Sequence, residues 1–392
     1  MSTPQFELDT NTPCGRAKDL AALAGDHFRF LMPADGDYMA YWCVRLRRTG
    51  AAPVCRIDVL PDPAYTGRRD EQGMTKSYAA RIGCRLCIYR DGRWQRAPAD
   101  ENASAAAGLT ANWLAERLEV QVRLSPGEQV LLSSTIPWPY DRAMAFLWQT
   151  AARRADVTTL ETIGRSVEGR EILGLSIGDA SLPAVLAISG EHATEFAGQH
   201  AVRGIIEYLT SDRPQAAALC ERLRFLIAPQ VNPDGNVHGW LKFNAAGANL
   251  CESYSDEALA DAARVPEARA IVAWGDAARP LLVLNFHGGT WRVGNPPHHW
   301  ATRVPPESHP SPAGAQRQRA VDAALIGRTD AISRNGYLLE STGHCLHNRM
   351  AAGRWHAAGV CYEPELNDGV ADCMRAGVRV IQATAEAILD TL

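Results

Sequence analysis

The sequence predicts an α/β domain, a central mixed, largely parallel sheet flanked by helices, preceded by an all-β sandwich. Three observations predict it. Short apolar runs punctuated by Gly and Pro fill the first part of the chain without a helical period. From about residue 158 such runs alternate with stretches of helical apolar spacing. Two of the later runs end abruptly in a histidine beside Gly, and the carboxyl ends of strands are where sites gather in open α/β sheets.

A chain of 392 residues exceeds one ordinary core. Residues 1–25, polar and punctuated by Gly and Pro, are expected as an N-terminal arm. Residues 26–139 are expected as the sandwich, 140–157 as a helical linker and 158–392 as the second domain. Within the sandwich, Tyr38–Arg48 alternates, with Trp42, Val44 and Leu46 on one face. Val54–Leu60, Ala79–Tyr89, Leu118–Leu124 and Gln129–Ile136 are similar short runs, and Asp91-Gly92 marks a hairpin. The second domain offers strands at Ile172–Ile177, Val185–Ile188, Phe225–Ala228, Leu281–Phe286 and Val360–Tyr362. Helices are expected over Phe196–Leu209, Glu257–Arg279, Gln316–Ile332 and Ala371–Leu389, and a functional rim loop over Pro296–Pro312. Gly174-Leu175-Ser176-Ile177-Gly178 fits the pattern of a nucleophile elbow. That motif needs a strand followed by a helix, whereas here a second strand follows, so it is read as a strand edge.

Composition narrows the function classes. Hydrophobic residues make up 46% and charged residues 21%, with a net charge of −4, as in a soluble globular protein with no electrostatic pull toward nucleic acid or an acidic membrane. No apolar run approaches the ~18 residues of a membrane span, and the first residues lack the basic head and apolar core of a secretion signal. Ten scattered cysteines favour reduced thiols and a cytoplasmic location. Cys84 and Cys87, three apart on a strand, face opposite ways and read as structural.

The chemistry concentrates at strand ends. Ala184–Ile188 runs into Ser189-Gly190-Glu191-His192-Ala193-Thr194-Glu195, placing His192 and Glu195 where a strand hands over to a helix. Leu281–Phe286 runs into His287-Gly288-Gly289. Two imidazoles and a carboxylate are the three protein ligands of a catalytic zinc site, which keeps one position open. The last strand then brings Glu363 and Glu365 to the same edge. A carboxylate there takes a proton from attacking water and returns it to a leaving amine. Glu363 and Glu365 share a strand face, so spacing does not choose between them.

Residues from about 158 to 392 resemble the zinc carboxypeptidase (carboxypeptidase A-like) family. Gly190-Glu191-His192-Ala193-Thr194-Glu195 is similar to its first zinc motif and Asn285-Phe286-His287-Gly288 to its second. Gly164–Ile172 resembles the family's entry segment, and Asn232-Pro233-Asp234-Gly235 its loop after the next strand. Glu365-Leu366-Asn367-Asp368-Gly369 resembles the stretch carrying its catalytic glutamate. The preceding sandwich, ending in Pro137-Trp138-Pro139-Tyr140, is similar to the N-terminal domain of the cytosolic carboxypeptidase branch. The resemblance implies one Zn2+ per chain on His192, Glu195 and His287, with Glu365 as general base and Glu363 second.

The departures bear on substrate. In the family the corresponding run supplies an Arg that polarises the scissile carbonyl, then an Asn-Arg pair that grips the substrate's terminal carboxylate. Here Lys242 stands at the first position, and Cys251-Glu252 replaces the clamp, with Asn249 beside it. A carboxylate at Glu252 repels a substrate carboxylate, so a conventional free C-terminus is not the expected target. Register permitting, Arg292 or Arg349 supplies the missing charge instead. His344, His347 and Arg349 occupy the place of the family's specificity loop, without its Tyr. Three functions are compatible with these residues: a zinc amide hydrolase, a specialised deacylase or amidase of a small amino-acid conjugate, and a metal- or partner-binding homologue without catalysis. The sequence leaves the oligomeric state open.

Overall fold

The structure is a computed structural model that describes residues 4–36, 41–65, 86–97, 108–113, 117–288, 299–329, 338–340, 343, 345–364 and 369–392. It divides into two compact units, one made of residues 1–137, 237–241 and 290–293 and the other of the remainder.

The first unit is built on two five-stranded sheets. One contains β1 (Phe6–Asp9), β4 (Cys43–Arg48), β6 (Cys87–Arg90), β7 (Arg93–Arg96) and β10 (Gln129–Ser133), in the order β1-β4-β10-β6-β7. The other contains β2 (Lys18–Ala24), β3 (His27–Met32), β5 (Val54–Pro61), β8 (Leu109–Trp113) and β9 (Leu118–Arg123), in the order β2-β3-β5-β9-β8. Their inward residues interleave in one core, in which Phe6, Val44, Leu46 and Leu132 meet Phe30, Ile57, Val120 and Val122. Asp91 and Gly92, with φ of 53° and 77°, make the turn that pairs Arg90 with Arg93. The expected N-terminal arm is corrected: Phe6–Asp9 pairs antiparallel with β4, and Lys18–Ala24 with β3. Phe6 and Leu8, two apart in a polar stretch, bury as a strand face and anchor it. Most of the Ala79–Tyr89 run lies outside the described residues.

The second unit holds an eight-stranded mixed sheet. Its strands are β11 (Thr158–Arg165), β12 (Glu171–Ile177), β13 (Ala184–Ser189), β14 (Arg224–Ala228), β15 (Leu282–Phe286), β16 (Trp300–Arg303), β17 (Leu338–Glu340) and β18 (Ala358–Glu363). The order is β11-β12-β14-β13-β15-β18-β16-β17, and the middle four, β14-β13-β15-β18, run parallel. Every residue of β13 and β15 is buried, the continuous apolar signature of parallel strands covered on both faces. The GxSxG-like stretch lies in and just after β12, with no elbow.

Three expectations change in detail. Glu257–Arg279 is two helices, Asp256–Ala260 and Pro266–Ala278, because Pro266 cannot continue a helix and starts a new one. The helix expected over Gln316–Ile332 spans Pro312–Arg328. The rim loop contains β16, whose Trp300 pairs with Glu363 and Arg303 with Val360.

Helix Phe196–Leu209 lies close against the carboxyl end of β15, and Gly198 permits it. A Cβ there would stand 2.2 Å from the His287 carbonyl oxygen and 2.7 Å from that of Phe286. Gly198→Ala is expected to destabilise the protein by about 1–3 kcal/mol through overpacking against backbone, read as a lower denaturant midpoint.

Candidate metal centre

Parallel register sets the site. Ser189 pairs with Phe286 and Phe286 with Tyr362, so β13, β15 and β18 end at one edge. His192, His287 and Glu363 leave from those three ends. A turn closed by the Glu195 N–H donating to the His192 carbonyl (3.2 Å) brings Glu195 back beside His192. Glu195 heads helix Phe196–Leu209 but does not cap it; its carboxylate is aimed elsewhere.

That carboxylate spans two imidazoles. Oε1 lies 3.0 Å from His192 Nδ1 and Oε2 lies 2.8 Å from His287 Nδ1, while the Gly288 N–H donates to Oε2 at 3.2 Å. The rings stand at 78° with centroids 4.8 Å apart. One ligand atom from each of the three residues lies within 4.8 Å of the others, and all three are buried.

The remaining ring nitrogens are also held. His192 Nε2 is 3.1 Å from Asn249 Oδ1, and His287 Nε2 is 3.1 Å from Glu191 Oε2. Glu191 is fully buried. It accepts hydrogen bonds from Asn285 Nδ2 (2.7 Å) and the Tyr254 hydroxyl. Burial pushes the Glu191 carboxyl up, but the His287 imidazole and these donors hold it below its usual range. Burial likewise raises Glu195, yet the two histidines overcome it and leave the carboxylate ionised. Among the described residues, the side-chain partners of these two buried acids are His, Tyr and Asn, without Lys or Arg. Burial works against charge on His287, yet Glu195 and Glu191 hold its imidazole well above its ordinary range; the two carboxylates thus favour a cation between them, and a divalent ion fits that place. Glu191→Gln is therefore expected to weaken zinc affinity by about 10–100-fold, measured by competition with a chromogenic chelator.

The other expected site residues fall as follows. Asn249 meets His192 rather than standing free for substrate. Lys242 precedes Phe243, which bridges to Asn249, so the cation stands beside that contact. Its Nζ is 5.8 Å from the Phe243 ring centroid. Glu252 ends the short turn Leu250–Glu252 and is exposed. Glu363 closes β18; burial and the Glu195 charge push its carboxyl up to about 7. His347 is 1% exposed, with Nε2 3.3 Å from Thr302 Oγ1. Burial drives its imidazole down to about 4, so it offers no cation to a substrate carboxylate. Arg349 is exposed on the helical segment His347–Trp355. Glu365, Arg292 and His344 lie outside the described residues.

Sequence reasoning overlooked Glu191, Asn285 and Tyr254 as a supporting set. The available signal was a Glu and an Asn at the ends of all-apolar strands, where a buried polar group must find a partner.

The family described as zinc carboxypeptidase matches residues 143–325. Over these residues the chain is similar to zinc carboxypeptidase domains. Carboxypeptidase M of Mus musculus is 28% identical over 164 residues, 37% of each chain. Cytosolic carboxypeptidase 6 of Mus musculus is 32% identical over 127 residues, 31% of this chain and 24% of that one. The chain thus spans well under half the length of these curated relatives. A metallo-carboxypeptidase from Burkholderia cenocepacia shares the fold across the whole chain, with a TM-score of 0.75 and 20% identity over 98% of both chains. Among the described residues, no helix is long and apolar enough to cross a membrane.

Proposed function

We propose that this protein is a zinc-dependent hydrolase of peptide or peptide-like amide bonds with an atypical site for the substrate's carboxyl end. The convergence of His192, Glu195 and His287 on one buried point carries the reading. Held by these three residues, zinc would supply a Lewis acid and an activated water nucleophile. The chain's own residues do the rest. Glu365 takes a proton from the attacking water and returns it to the leaving nitrogen, a role for which Glu363 is the second candidate. Lys242 stabilises negative charge on the scissile oxygen, a contribution of about 3 kcal/mol for a well-placed donor. Asn249 and Glu191 fix the tautomers and tilts of the two imidazoles. The scattered spacing of the ten cysteines, which forms no disulfide framework, supports a cytoplasmic location, which belongs to the same proposal.

Glu252 favours a more specific reading within this chemistry, a deacylase or amidase acting on a small amino-acid conjugate with a neutral or amine-bearing group beside the cleaved bond. A panel of matched peptides with free-acid and amidated C-termini tests it. The amidated members are expected to react faster, by about tenfold, because the Glu252 carboxylate repels a like-charged substrate end. Glu252→Arg is expected to reverse the order. Free-acid peptides preferred by the parental protein would return the chain to ordinary carboxypeptidase behaviour, and no hydrolysis of any member by zinc-loaded protein would favour a non-catalytic homologue.

A further inference from the structure

Two thiols outside the proposed donor set face each other beside the centre. Cys251, on the turn Leu250–Glu252, and Cys345, just ahead of the helical segment His347–Trp355, are 94 residues apart in the chain, yet their sulfurs lie 3.7 Å apart. Both are unbonded and partly exposed, whereas Cys14, Cys43, Cys55, Cys87, Cys361 and Cys373 are buried. The Asn348 and Arg349 N–H groups donate to the Cys345 carbonyl (3.1 and 2.9 Å), placing its sulfur at the start of a helix. Cys251 is also one of three residues, with Glu191 and His287, whose ligand atoms lie within 4.8 Å of one another.

We propose that Cys251 and Cys345 form a reversible disulfide that lowers turnover at the adjacent site. The effect on turnover rests on the hydrolase reading above; formation of the bond does not. The oxidant is a low-molecular-weight disulfide. The Cys345 thiolate attacks one of its sulfurs, forming a mixed disulfide and releasing one small thiol. Cys251 then loses its proton, and its sulfur attacks that of Cys345 and expels the second small thiol. Two protein thiols become one protein disulfide, the small disulfide becomes two thiols, and two electrons pass to it. Cys345 is suited to strike first, because the hydrogen bond from Cys251 holds its thiol below the ordinary range.

Closing 3.7 Å to a bond of about 2 Å draws two segments of the site together. Asn249, two residues before Cys251, lies 3.1 Å from His192 Nε2, so a shift of this turn reaches an imidazole of the proposed centre. Misplacement by about 1 Å at a reacting centre costs up to about a hundredfold in rate.

The test treats the full-length, zinc-loaded protein with oxidised glutathione, blocks remaining thiols and maps peptides without reduction. The expected result is a peptide joining Cys251 to Cys345, lacking two hydrogens and split by dithiothreitol. Cys251→Ser should instead accumulate glutathione on Cys345. Both thiols remaining open to alkylation, or either pairing with a different cysteine, overturns the bond. Turnover of the best amide substrate should fall by about tenfold on oxidation and return on reduction. Cys345→Ser, compared with itself before and after oxidant, should lose that response. A bond that forms without changing turnover overturns the regulatory role. Absence of amide hydrolysis before oxidation counts against the hydrolase reading and the effect on turnover, while the peptide map still decides the bond.

Discussion

His287→Ala is expected to release the metal and with it nearly all activity. Metal content of the purified protein should fall from about one zinc per chain to near zero, and hydrolysis by about a thousand- to ten-thousandfold, the equivalent of several kcal/mol of Lewis-acid assistance. The loss should exceed that of a simple missing ligand. His287 is the partner of Glu195 on one ring nitrogen and of Glu191 on the other, so its removal leaves two buried carboxylates facing each other without their shared cation. Loss of zinc should therefore come with a lower thermal midpoint. Elemental analysis and a melting curve on the same preparation check both parts. A variant that retains stoichiometric zinc would move the centre away from this histidine.

Glu365→Gln is expected to act differently, keeping zinc while turnover falls by about a hundred- to ten-thousandfold, the range of a lost general base. Glu363→Gln run alongside assigns the role. Glu363 sits at the end of β18, where burial and the Glu195 charge raise its carboxyl to about 7. That value suits proton transfer near neutrality, so the second carboxylate is a real competitor. The expected split is a large kcat loss at Glu365 and less than about a tenfold change at Glu363. The opposite split would hand the proton chemistry to the residue on the strand.

The strands that carry this site were legible because their physics is local. Ala184–Ser189 and Leu282–Phe286 are buried on both faces, so they appear in sequence as apolar runs broken only by Ser189 and Asn285, and a histidine just beyond such a run stands out. Phe6 and Leu8 were missed because two alternating apolar residues in a polar stretch reveal a strand only once β4 lies beside them. The supporting groups were hidden for a related reason. Asn285 and His287 meet Glu191 across 94 and 96 residues, and no spacing rule reports a partner that far away. His347 was expected near substrate because its segment occupies the place of the family's specificity loop; its neutral, buried state comes from packing, which a single sequence does not display.

The placement of β15 between β13 and β18 carries a consequence for how the protein comes into being. While the chain emerges from the ribosome, β15 has its earlier neighbour on one side, but the segment that will cover its other edge is made only some seventy residues later. Until then the Leu282–Phe286 backbone presents an unpaired, largely apolar edge, the kind of template on which nascent chains stick to one another. Shortening the chain before Ala358 should therefore yield insoluble material rather than a smaller active enzyme, and any helper that binds nascent chains has a defined interval in which this stretch needs it.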